Sequence, residues 1–447
     1  MKDYEGKRVL VFGLARSGAA AVNLLAGAGA SVCAADENAS LSPPSGLAGA
    51  DVRLGPFDRG TLAGVDEVVL SPGVPSSHPV AVSARKMGIP VISELELAFR
   101  FLEAPVIAVT GTNGKSTTVS MIGSILREDG RQTVVAGNVG VPLSSVAGSL
   151  GGGGIYVVEV SSFQLETVDR FHPVSAGMLN LTPDHLDRYG SAGEYYEAKM
   201  RIMDNLEEED LFFYNSDDPR CRGAADRTRA RTLPFSSSGR VERGIYLEGA
   251  HLIRERDDGT EEIIAERDEI GTPGLHNIEN ALAAVAAVSP FGVSAGSCRR
   301  ALTSFKGLPH RMEEVGSARG VTFYNDSKAT NVEAALKSLS GLGSPVVLIA
   351  GGVGKGQDFS PLAGAAGVVR RAFTMGEAAA EIESAIGDAI PCERAGTMCE
   401  AVEKAAGAAE PGWLVVLSPA CASFDMFDDF EDRGEVFRDC VGSLTGR

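Results

Sequence analysis

A strand-like apolar run that ends in a glycine-rich turn constrains this chain most strongly. The run Val106–Thr110 is apolar and β-branched, so it predicts a buried strand, and helix-compatible sequence begins at Lys115. Glycines between a strand and a helix leave backbone N–H groups exposed beside the positive end of the helix, which favours a bound anion. Lys115 adds a point charge, and Ser116 adds a hydroxyl that can bind Mg²⁺. The pattern predicts a phosphate-binding loop made by Gly111, Thr112, Asn113, Gly114, Lys115, Ser116 and Thr117.

This loop is shorter than the common phosphate-loop motif G-x-x-x-x-G-K-[ST], because the glycine that precedes Gly114 is Gly111. An ordinary glycine-rich turn with a surface lysine is the alternative interpretation. The strand before the loop and the helix after it favour the phosphate site.

Length and charge bound the remaining possibilities. A chain of 447 residues exceeds what one core usually organises, so we predict three domains, over residues 1–92, 93–307 and 308–447. Apolar residues make up 44% of the chain and charged residues 22%, as in soluble globular proteins. The net charge of −18 argues against nucleic-acid and anionic-membrane partners, which require basic surfaces. Anionic ligands must therefore be held by local groups such as helix ends, single lysines and Mg²⁺.

The cysteines and the apolar runs indicate the compartment. The seven cysteines are odd in number and form no C-x-x-C pair, so they are expected to be reduced thiols. The sequence shows no signal-peptide pattern near its start and no apolar run of membrane-spanning length. We expect a cytoplasmic protein.

The first block of sequence resembles a nucleotide-binding α/β domain. A short strand, Val9–Phe12, precedes a glycine-containing turn, but Ala15 stands where the dinucleotide fingerprint places its middle glycine, so NAD is not expected. Asp36 follows the next strand, where it can accept hydrogen bonds from a ribose or base, or can simply stabilise a turn. We predict a small parallel α/β domain whose ligand lies at the strand ends.

Three residues of the second block suggest metal chemistry. Glu159 ends an apolar strand, where nucleotide-hydrolysing enzymes place a Mg²⁺ carboxylate, although it can equally be an exposed strand-end residue. His185 lies in a loop rich in carboxylates. It is either a metal ligand or a loop histidine that makes a hydrogen bond. Lys199 has apolar neighbours at helical spacing, so it either extends outward to solvent or points into a site. Residues 211–265 predict short strands at the periphery.

The later sequence adds polar groups at helix starts and strand ends. Asn277 and Asn280 share a helix face and can read an adenine edge or act as caps. In the third block, polar segments follow the strands at residues 326–331, 351–356 and 418–425. Their convergence at one sheet edge, facing the phosphate loop, would make an interdomain active site.

Several of these segments together resemble the Mur ligases of peptidoglycan synthesis. They are Thr110–Thr117, Ser161–Glu166, Asn180–Asp187, His310-Arg311, Asn325–Asn331 and Ser418–Asp425. The resemblance covers all three domains. It implies an α/β protein with a Rossmann-like UDP-binding domain, a central ATPase-type domain with a small β element, and a Rossmann-like C-terminal domain.

The resemblance also implies an activity. It implies ATP-dependent amide ligation that joins D-glutamate to UDP-N-acetylmuramoyl-L-alanine through an acyl phosphate and a tetrahedral intermediate. Mg²⁺ would be held by Ser116 and Glu159, and by His185 with Lys199 as a carbamate. Lys115, His185, Lys199 and Lys328 would be the catalytic residues. A monomer without nucleic-acid partners is expected.

The remaining site residues are implied by their positions in the family motifs. ATP would be bound by the phosphate loop with Asn277, Asn280, Arg311, Asp326 and Lys328. The UDP substrate would be bound by Leu14, Ala15, Arg16, Ser17, Asp36, Glu37, Asn38, Gly73 and Asn138. D-glutamate would be bound by Thr330, Lys355, Ser423, Phe424 and Phe430.

Two other readings remain at this point. A different member of the superfamily would add another amino acid, or would add glutamate to a folate, and a UDP site in residues 1–92 would argue against the folate enzyme. A nucleotide-dependent switch would use the phosphate loop without ligation chemistry. The number of polar strand ends in the third block disfavours the switch.

Overall fold

The computed structural model of the protein describes residues 4–42, 46–47, 49–138, 140–185, 188–256, 258–272 and 274–445. The chain divides into two compact units, Met1–Glu269 with Glu279–Thr303, and Ile270–Ile278 with Ser304–Arg447. The first unit holds a five-stranded and a nine-stranded sheet, and the second holds a six-stranded sheet. None of the helices in the described part of the chain combines the length and apolarity needed to cross a membrane.

The five-stranded sheet is parallel and has the strand order β3-β2-β1-β4-β5. Its elements are β1 (Arg8–Phe12), α1 (Arg16–Gly27), β2 (Ser31–Asp36), β3 (Asp51–Leu54), β4 (Glu67–Leu70), α2 (Pro79–Lys86), β5 (Val91–Ser93) and α3 (Glu94–Phe99). The strand order reverses between β1 and β4, and ligands of such sheets bind in the crevice at this switch point. The turns after these two strands are joined there by a 2.6 Å hydrogen bond from Ser71 Oγ to Gly13 O.

The nine-stranded sheet has the order β14-β13-β12-β11-β10-β9-β6-β8-β7. Its strands are β6 (Val106–Thr110), β7 (Thr133–Gly137), β8 (Ile155–Glu159), β9 (Ser175–Met178), β10 (Leu211–Asn215), β11 (Arg231–Ser236), β12 (Ile245–Glu248), β13 (His251–Glu255) and β14 (Glu261–Glu266). The helices of this part are α4 (Lys115–Glu128), α5 (Leu143–Val146), α6 (Ser162–Leu165), α7 (Ala192–Met200), α8 (Pro219–Ala225), α9 (Leu275–Ala287) and α10 (Ala295–Ser304). All five residues of β6 are buried, as expected for a central parallel strand covered on both faces.

The peripheral β element predicted over residues 211–265 is smaller than expected. β10 and β11 continue the parallel sheet beyond β9, and only β12, β13 and β14 pair antiparallel at its edge. The apolar runs of this region are short, and a short apolar run looks the same in a separate antiparallel element as in a further strand of the parallel sheet.

The six-stranded sheet has the order β15-β16-β20-β17-β18-β19 and is parallel except at the β15–β16 edge. Its strands are β15 (Glu313–Ala318), β16 (Val321–Asn325), β17 (Val346–Gly351), β18 (Val369–Met375), β19 (Cys392–Arg394) and β20 (Leu414–Leu417). Its helices are α11 (Val332–Ser340), α12 (Ala379–Ile386), α13 (Met398–Ala408) and α14 (Phe430–Thr445). Short 3₁₀ segments elsewhere in the chain include Arg59–Leu62, Arg201–Met203, Arg267–Glu269, Ser289–Phe291 and Ser360–Gly367.

The neighbouring strands β16, β20 and β17 carry the three polar strand ends of the third block. Asp326, Ser418 and Gly351 end or follow these strands, so their predicted convergence at one sheet edge is confirmed within this unit.

The expectation that all seven cysteines are reduced is wrong for two of them. Cys399 on α13 and Cys440 on α14 are joined by a disulfide, with their Cα atoms 5.1 Å apart. The two residues are 41 positions apart, so only the packing of α13 against α14 brings them together. Cys33, Cys221, Cys298, Cys392 and Cys421 are free thiols.

Candidate active site

The phosphate loop connects β6 to α4 in the predicted strand–turn–helix arrangement. Gly111 and Gly114 have positive φ values of 147° and 88°. A Cβ atom on Gly114 would lie 2.5 Å from Asn280 Oδ1, so this position accepts no side chain without displacing Asn280. Gly114 is the N-cap residue of α4 and has no side chain, so no capping side chain lies between the start of this helix and a bound anion.

A second segment, Asn180–Thr182 after β9, holds the loop in place. Asn113 N donates to Asn180 Oδ1 at 2.8 Å, and Asn180 Nδ2 donates back to Asn113 O at 3.1 Å. Thr112 N donates to Asn180 O, and Thr112 Oγ1 donates to Thr182 O, both at 3.0 Å. Sequence reasoning gave Asn180 and Thr182 no role of their own, and their place in a polar strand-exit motif was the signal available.

Lys115 and Ser116 are the first two residues of α4 and directly follow the glycine-containing turn of the phosphate loop. Lys115 Nζ lies 2.9 Å from Gly111 O and 2.8 Å from Thr112 O, so its charge is held over the loop. Ser116 Oγ donates a short hydrogen bond to Glu159 Oε2. Glu159 is 2% exposed and also accepts a 3.1 Å hydrogen bond from Asn138 Nδ2 on Oε1.

Lys199 points into this site rather than outward to solvent, which decides between the two predicted orientations. It is 1% exposed, and its Nζ donates to Gly111 O at 2.8 Å. The ammonium group also lies 4.7 Å from the centre of the Tyr195 ring. Burial, reinforced by the positive charge of Lys115, lowers the pKa of Lys199 well below its ordinary value. A neutral amine is therefore accessible at this position.

His185 lies near the same loop on a strained turn. Its φ is 52°, its side chain is 46% exposed, and its Nε2 lies 3.7 Å from Asp184 Oδ2. The ring also contacts Phe163, with a centroid distance of 4.8 Å. Leu186 and Asp187, which complete the predicted motif, lie outside the described residues.

The oxygen donors of the site suit Mg²⁺. Mg²⁺ is commonly bound by one or two carboxylates together with phosphate oxygens and water. The buried Glu159 carboxylate and the Ser116 hydroxyl are such donors, and they are already in contact. The part of the chain that the structure describes contains no group of three or more histidine, cysteine, aspartate or glutamate side chains arranged for a metal. The Glu159 carboxylate and the Ser116 hydroxyl are therefore the candidate protein ligands for Mg²⁺ at the phosphate loop.

The predicted UDP-site residues of the first 92 positions lie at strand ends of the five-stranded sheet or in the turns and helix start that follow them, whereas Asn138 follows β7 of the nine-stranded sheet. Asp36 accepts hydrogen bonds from Leu14 N at 2.7 Å and from Asn38 N at 2.9 Å, so it shapes the two turns as well as lining them. Glu37 pairs with His78 at 3.0 Å. Ala15, Arg16, Glu37, Asn38 and Gly73 are exposed, while Ser17 and Asp36 are partly buried and Leu14 is buried.

Asp326 is the central acid of the second unit. It is 5% exposed, and it accepts hydrogen bonds from Ser418 Oγ at 2.8 Å and from Met312 N at 3.3 Å. Burial raises the pKa of Asp326 to about 6. Lys328 lies two residues further on, with its Nζ 3.6 Å from the centre of the Phe430 ring.

The predicted D-glutamate residues differ in exposure. Ser423 is buried, Thr330 and Phe430 are partly buried, and Lys355 and Phe424 are exposed. Lys355 stands on a strained turn with a φ of 52°. The structure therefore brings Lys328 and Phe430 into contact and leaves the Lys355 side chain facing solvent.

Arg433 supports this region and was missed by sequence reasoning. It is 1% exposed and donates to Ser327 Oγ at 2.9 Å, to Ser327 O at 2.8 Å and to Cys421 O at 3.1 Å. Burial lowers the pKa of Arg433 to about 10. An arginine in an amphipathic helix resembles a surface residue in sequence, so no local signal identifies it.

The two helical asparagines are both buried, but α9 contributes them to different units. Asn280 belongs to the first unit and accepts a 3.2 Å hydrogen bond from Thr118 Oγ1 of α4. Asn277 belongs to the second unit with Arg311. Asn280 thus closes the phosphate loop from the side where Gly114 lacks a Cβ.

The fold and these residues define an α/β protein with three sheets and a phosphate loop on the nine-stranded sheet. Family models match along most of the chain: the MurD-like N-terminal domain of Mur ligases over residues 7–93, the Mur ligase middle domain over 109–288, and the Mur ligase glutamate ligase domain over 310–421. The chain belongs to the Mur ligase family.

Curated relatives extend this similarity over the full length. The chain is 42% identical over 453 residues to UDP-N-acetylmuramoylalanine–D-glutamate ligase of Pelotomaculum thermopropionicum, covering 99% of both chains. It is 43% identical over 451 residues to the ligase of the same name in Acidobacterium capsulatum, covering 99% of this chain and 98% of the relative.

Solved structures share the fold at lower sequence identity. The UDP-N-acetylmuramate-alanine ligase MurC of Thermotoga maritima matches with a TM-score of 0.62 at 20% identity, covering 98% of this chain and 99% of that one. The MurF ligase of the same organism matches with a TM-score of 0.63 at 17% identity, covering 100% of this chain and 96% of that one.

Proposed function

We propose that this protein is an ATP-dependent ligase that joins D-glutamate to UDP-N-acetylmuramoyl-L-alanine in peptidoglycan precursor synthesis. The observation that carries the proposal is the similarity to ligases of this name over 99% of the chain. The phosphate loop with its buried Glu159 and Lys199 supplies the chemistry that such a ligation requires.

The reaction proceeds in two steps. A carboxylate oxygen of the UDP substrate attacks the γ-phosphorus of ATP, so that a P–O bond forms, the bond to ADP breaks and an acyl phosphate results. The amine nitrogen of D-glutamate then attacks the acyl carbon, and the tetrahedral intermediate loses a proton and expels phosphate. Lys115 and the N–H groups of α4 stabilise negative charge on the transferred phosphoryl group.

Ser116 and Glu159 would hold the first Mg²⁺, and His185 with Lys199 the second. Bound Mg²⁺ would neutralise charge on the phosphoryl group during transfer. Lys199 suits this role only as an anion, because a buried ammonium would repel the metal. Its neutral amine can add to carbon dioxide, and the resulting carbamate is carboxylate-like. The lowered pKa of Lys199 supports this modification.

The other proposed ligand contacts are those implied by the family motifs. The turns around Leu14–Ser17, Asp36–Asn38 and Gly73 bind the UDP group, and Asn138 reaches the muramoyl group. Asn277, Asn280, Arg311, Asp326 and Lys328 bind ATP. Thr330, Lys355, Ser423, Phe424 and Phe430 bind D-glutamate, with Lys355 pairing a carboxylate. We expect a cytoplasmic monomer.

Phosphate release tests the substrate assignment. The protein is incubated with Mg-ATP and UDP-N-acetylmuramoyl-L-alanine, and D-glutamate, L-glutamate, L-alanine or diaminopimelate is added in turn. We expect rapid phosphate release and a product of the corresponding mass with D-glutamate alone. Release with L-alanine or diaminopimelate but not with D-glutamate would contradict the proposal.

A further inference from the structure

An ion pair between Arg188 and Glu166 stands beside the candidate site without a role in the chemistry above. Arg188 Nε donates to Glu166 Oε1 at 3.1 Å, and Nη2 donates to Oε2 at 3.2 Å. Both side chains are 11% exposed. Two parallel hydrogen bonds between a guanidinium and a carboxylate are stronger and more directional than a single charged contact.

The pair is connected to the turn that follows β4 in the five-stranded sheet. Arg188 Nη1 donates to Pro72 O at 2.8 Å, and Nη2 lies 3.4 Å from Val74 O. Glu166 Oε2 accepts from Ser76 N at 3.2 Å. The pair therefore contacts three residues of the segment Pro72–Ser76, here called the β4 turn, which carries the exposed Gly73 of the predicted UDP site.

The same pair is continuous with the segments that carry the metal ligands. Arg188 lies three residues after His185, and Glu166 lies seven residues after Glu159. The guanidinium plane also lies 3.8 Å from the centre of the Phe163 ring, which itself contacts His185. Tyr189 OH donates to Glu166 Oε1 at 2.7 Å and so reinforces the carboxylate.

We infer that Arg188 and Glu166 are positioning residues that fix the β4 turn for the UDP substrate relative to the loop that carries His185. This inference rests on the proposed function, since it assigns the pair to the affinity for the UDP substrate. Lysine cannot replace Arg188, because one ammonium cannot donate in parallel to a carboxylate and to two backbone carbonyls in this planar arrangement.

Kinetics of Arg188→Lys and Glu166→Gln test the inference. We expect Arg188→Lys to raise the KM for UDP-N-acetylmuramoyl-L-alanine about tenfold, because its hydrogen bonds to the turn are lost. The KM for D-glutamate should stay within about twofold of the wild-type value, because the pair contacts the β4 turn and not the proposed D-glutamate residues. Glu166→Gln should also raise the KM for the UDP substrate. The double variant should raise this KM by less than the product of the two single effects, because the two residues act as a unit.

Arg100→Lys is the matched control. Arg100 is similarly buried and pairs with Glu67 and Glu96 at 2.9 Å, and neither partner belongs to the candidate site. This variant should lower thermal stability without a selective change in the KM for the UDP substrate. Equal rises in the KM values for all substrates in Arg188→Lys and Glu166→Gln would overturn the inference.

Calorimetric titration with UDP-N-acetylmuramoyl-L-alanine in the absence of ATP separates this inference from the proposed function. Weaker binding by Arg188→Lys than by the wild type supports the inference, whether or not ligation occurs. Equal binding by the two proteins overturns the inference alone. No binding by the wild type overturns the proposed function together with the inference.

Discussion

Lys199 shows how a single side chain can acquire a role that its residue type does not suggest. It is buried against Gly111 O and the Tyr195 ring, where a permanent positive charge is unfavourable. The proposed carbamate turns this cation into an anion, which would explain a buried lysine near Glu159, the proposed Mg²⁺ ligand.

Replacement of Lys199 tests the carbamate. We expect Lys199→Ala to lower kcat by on the order of a thousandfold, because a metal ligand is lost. Short carboxylates such as acetate should restore part of this activity by occupying the vacated position. Lys404→Ala is the control, because Lys404 pairs with Glu393 and Glu400 on the surface of the second unit. Full activity in Lys199→Ala, or a loss that carboxylates do not relieve, would contradict the carbamate.

Labelled bicarbonate provides a direct readout of the same modification. Wild-type protein equilibrated with carbon-labelled bicarbonate should show a carbamate carbon resonance that Lys199→Ala lacks. The same resonance in both proteins would place the carbamate on another lysine.

Asp326 should make stability depend on pH. Its folded pKa of about 6 lies above its ordinary value of 3.8, so the folded state binds more protons between these values and stability falls as pH rises through the window. At pH values above this window, the ionised Asp326 lowers the free energy of unfolding by about 3 kcal/mol. We expect the melting temperature of Asp326→Asn, relative to the wild type, to rise between about pH 4 and pH 6 and then to level off.

Asp439→Asn, at an exposed acid of α14, is the control for this measurement. It should show no comparable rise. A melting-temperature difference for Asp326→Asn that is constant across the pH range would show that burial does not perturb this carboxyl group.

For single residues, the sequence predicts a position well only when a few neighbouring residues determine it. Lys115 and Ser116 follow the loop glycines directly, so their position was predictable from a few neighbours. The inward direction of Lys199 was not, because apolar helix neighbours allow a lysine either orientation. The pairing of Arg188 with Glu166, 22 residues away, depends on tertiary packing and has no local signal.

Among the connections between elements, the one from β6 to α4 restricts the residue type most strongly. Gly114 combines a φ of 88° with a position that leaves no space for a Cβ beside Asn280. The loop conformation and the absence of a capping side chain at the start of α4 therefore depend on glycine at this position.

Gly114→Ala tests this dependence. We expect it to raise the KM for ATP by on the order of tenfold or more, because backbone strain and displacement of Asn280 both distort the phosphate loop. Gly130→Ala is the matched control, because Gly130 follows the C-terminal end of the same helix with a φ of 80° and open space around it. The control should lower stability slightly and leave the KM for ATP unchanged. Equal KM values for the two variants would contradict the role of Gly114.

The sequence predicted β1, β2, β6 and β8, because their apolar runs are long enough to identify. β3 was missed, since its sequence Asp-Val-Arg-Leu is largely exposed and shows no buried pattern. β10 and β11 were assigned to a separate peripheral element, because strand partners cannot be inferred from the composition of a short run. Strand order, which determines the switch point near Gly13 and Ser71, is a property of the folded sheet.

In the whole molecule, a net charge of −18 coexists with substrates that are all anions. Long-range attraction therefore does not explain their binding, and the account depends on local groups: helix N-termini, Lys115, Lys328, Lys355 and Mg²⁺. In the proposed function, phosphoryl transfer depends chiefly on Lys115 and α4 of the first unit, and amino-acid binding depends on residues of the second unit.

The fate of the substrate carboxylate oxygen tests the central claim most directly. UDP-N-acetylmuramoyl-L-alanine labelled with a heavy oxygen isotope in its carboxylate is incubated with the protein, Mg-ATP and D-glutamate, and the products are analysed by mass spectrometry. We expect the D-glutamyl amide product together with one labelled oxygen in each released phosphate, because that oxygen attacks the γ-phosphorus. Unlabelled phosphate, or phosphate release without amide formation, would contradict it.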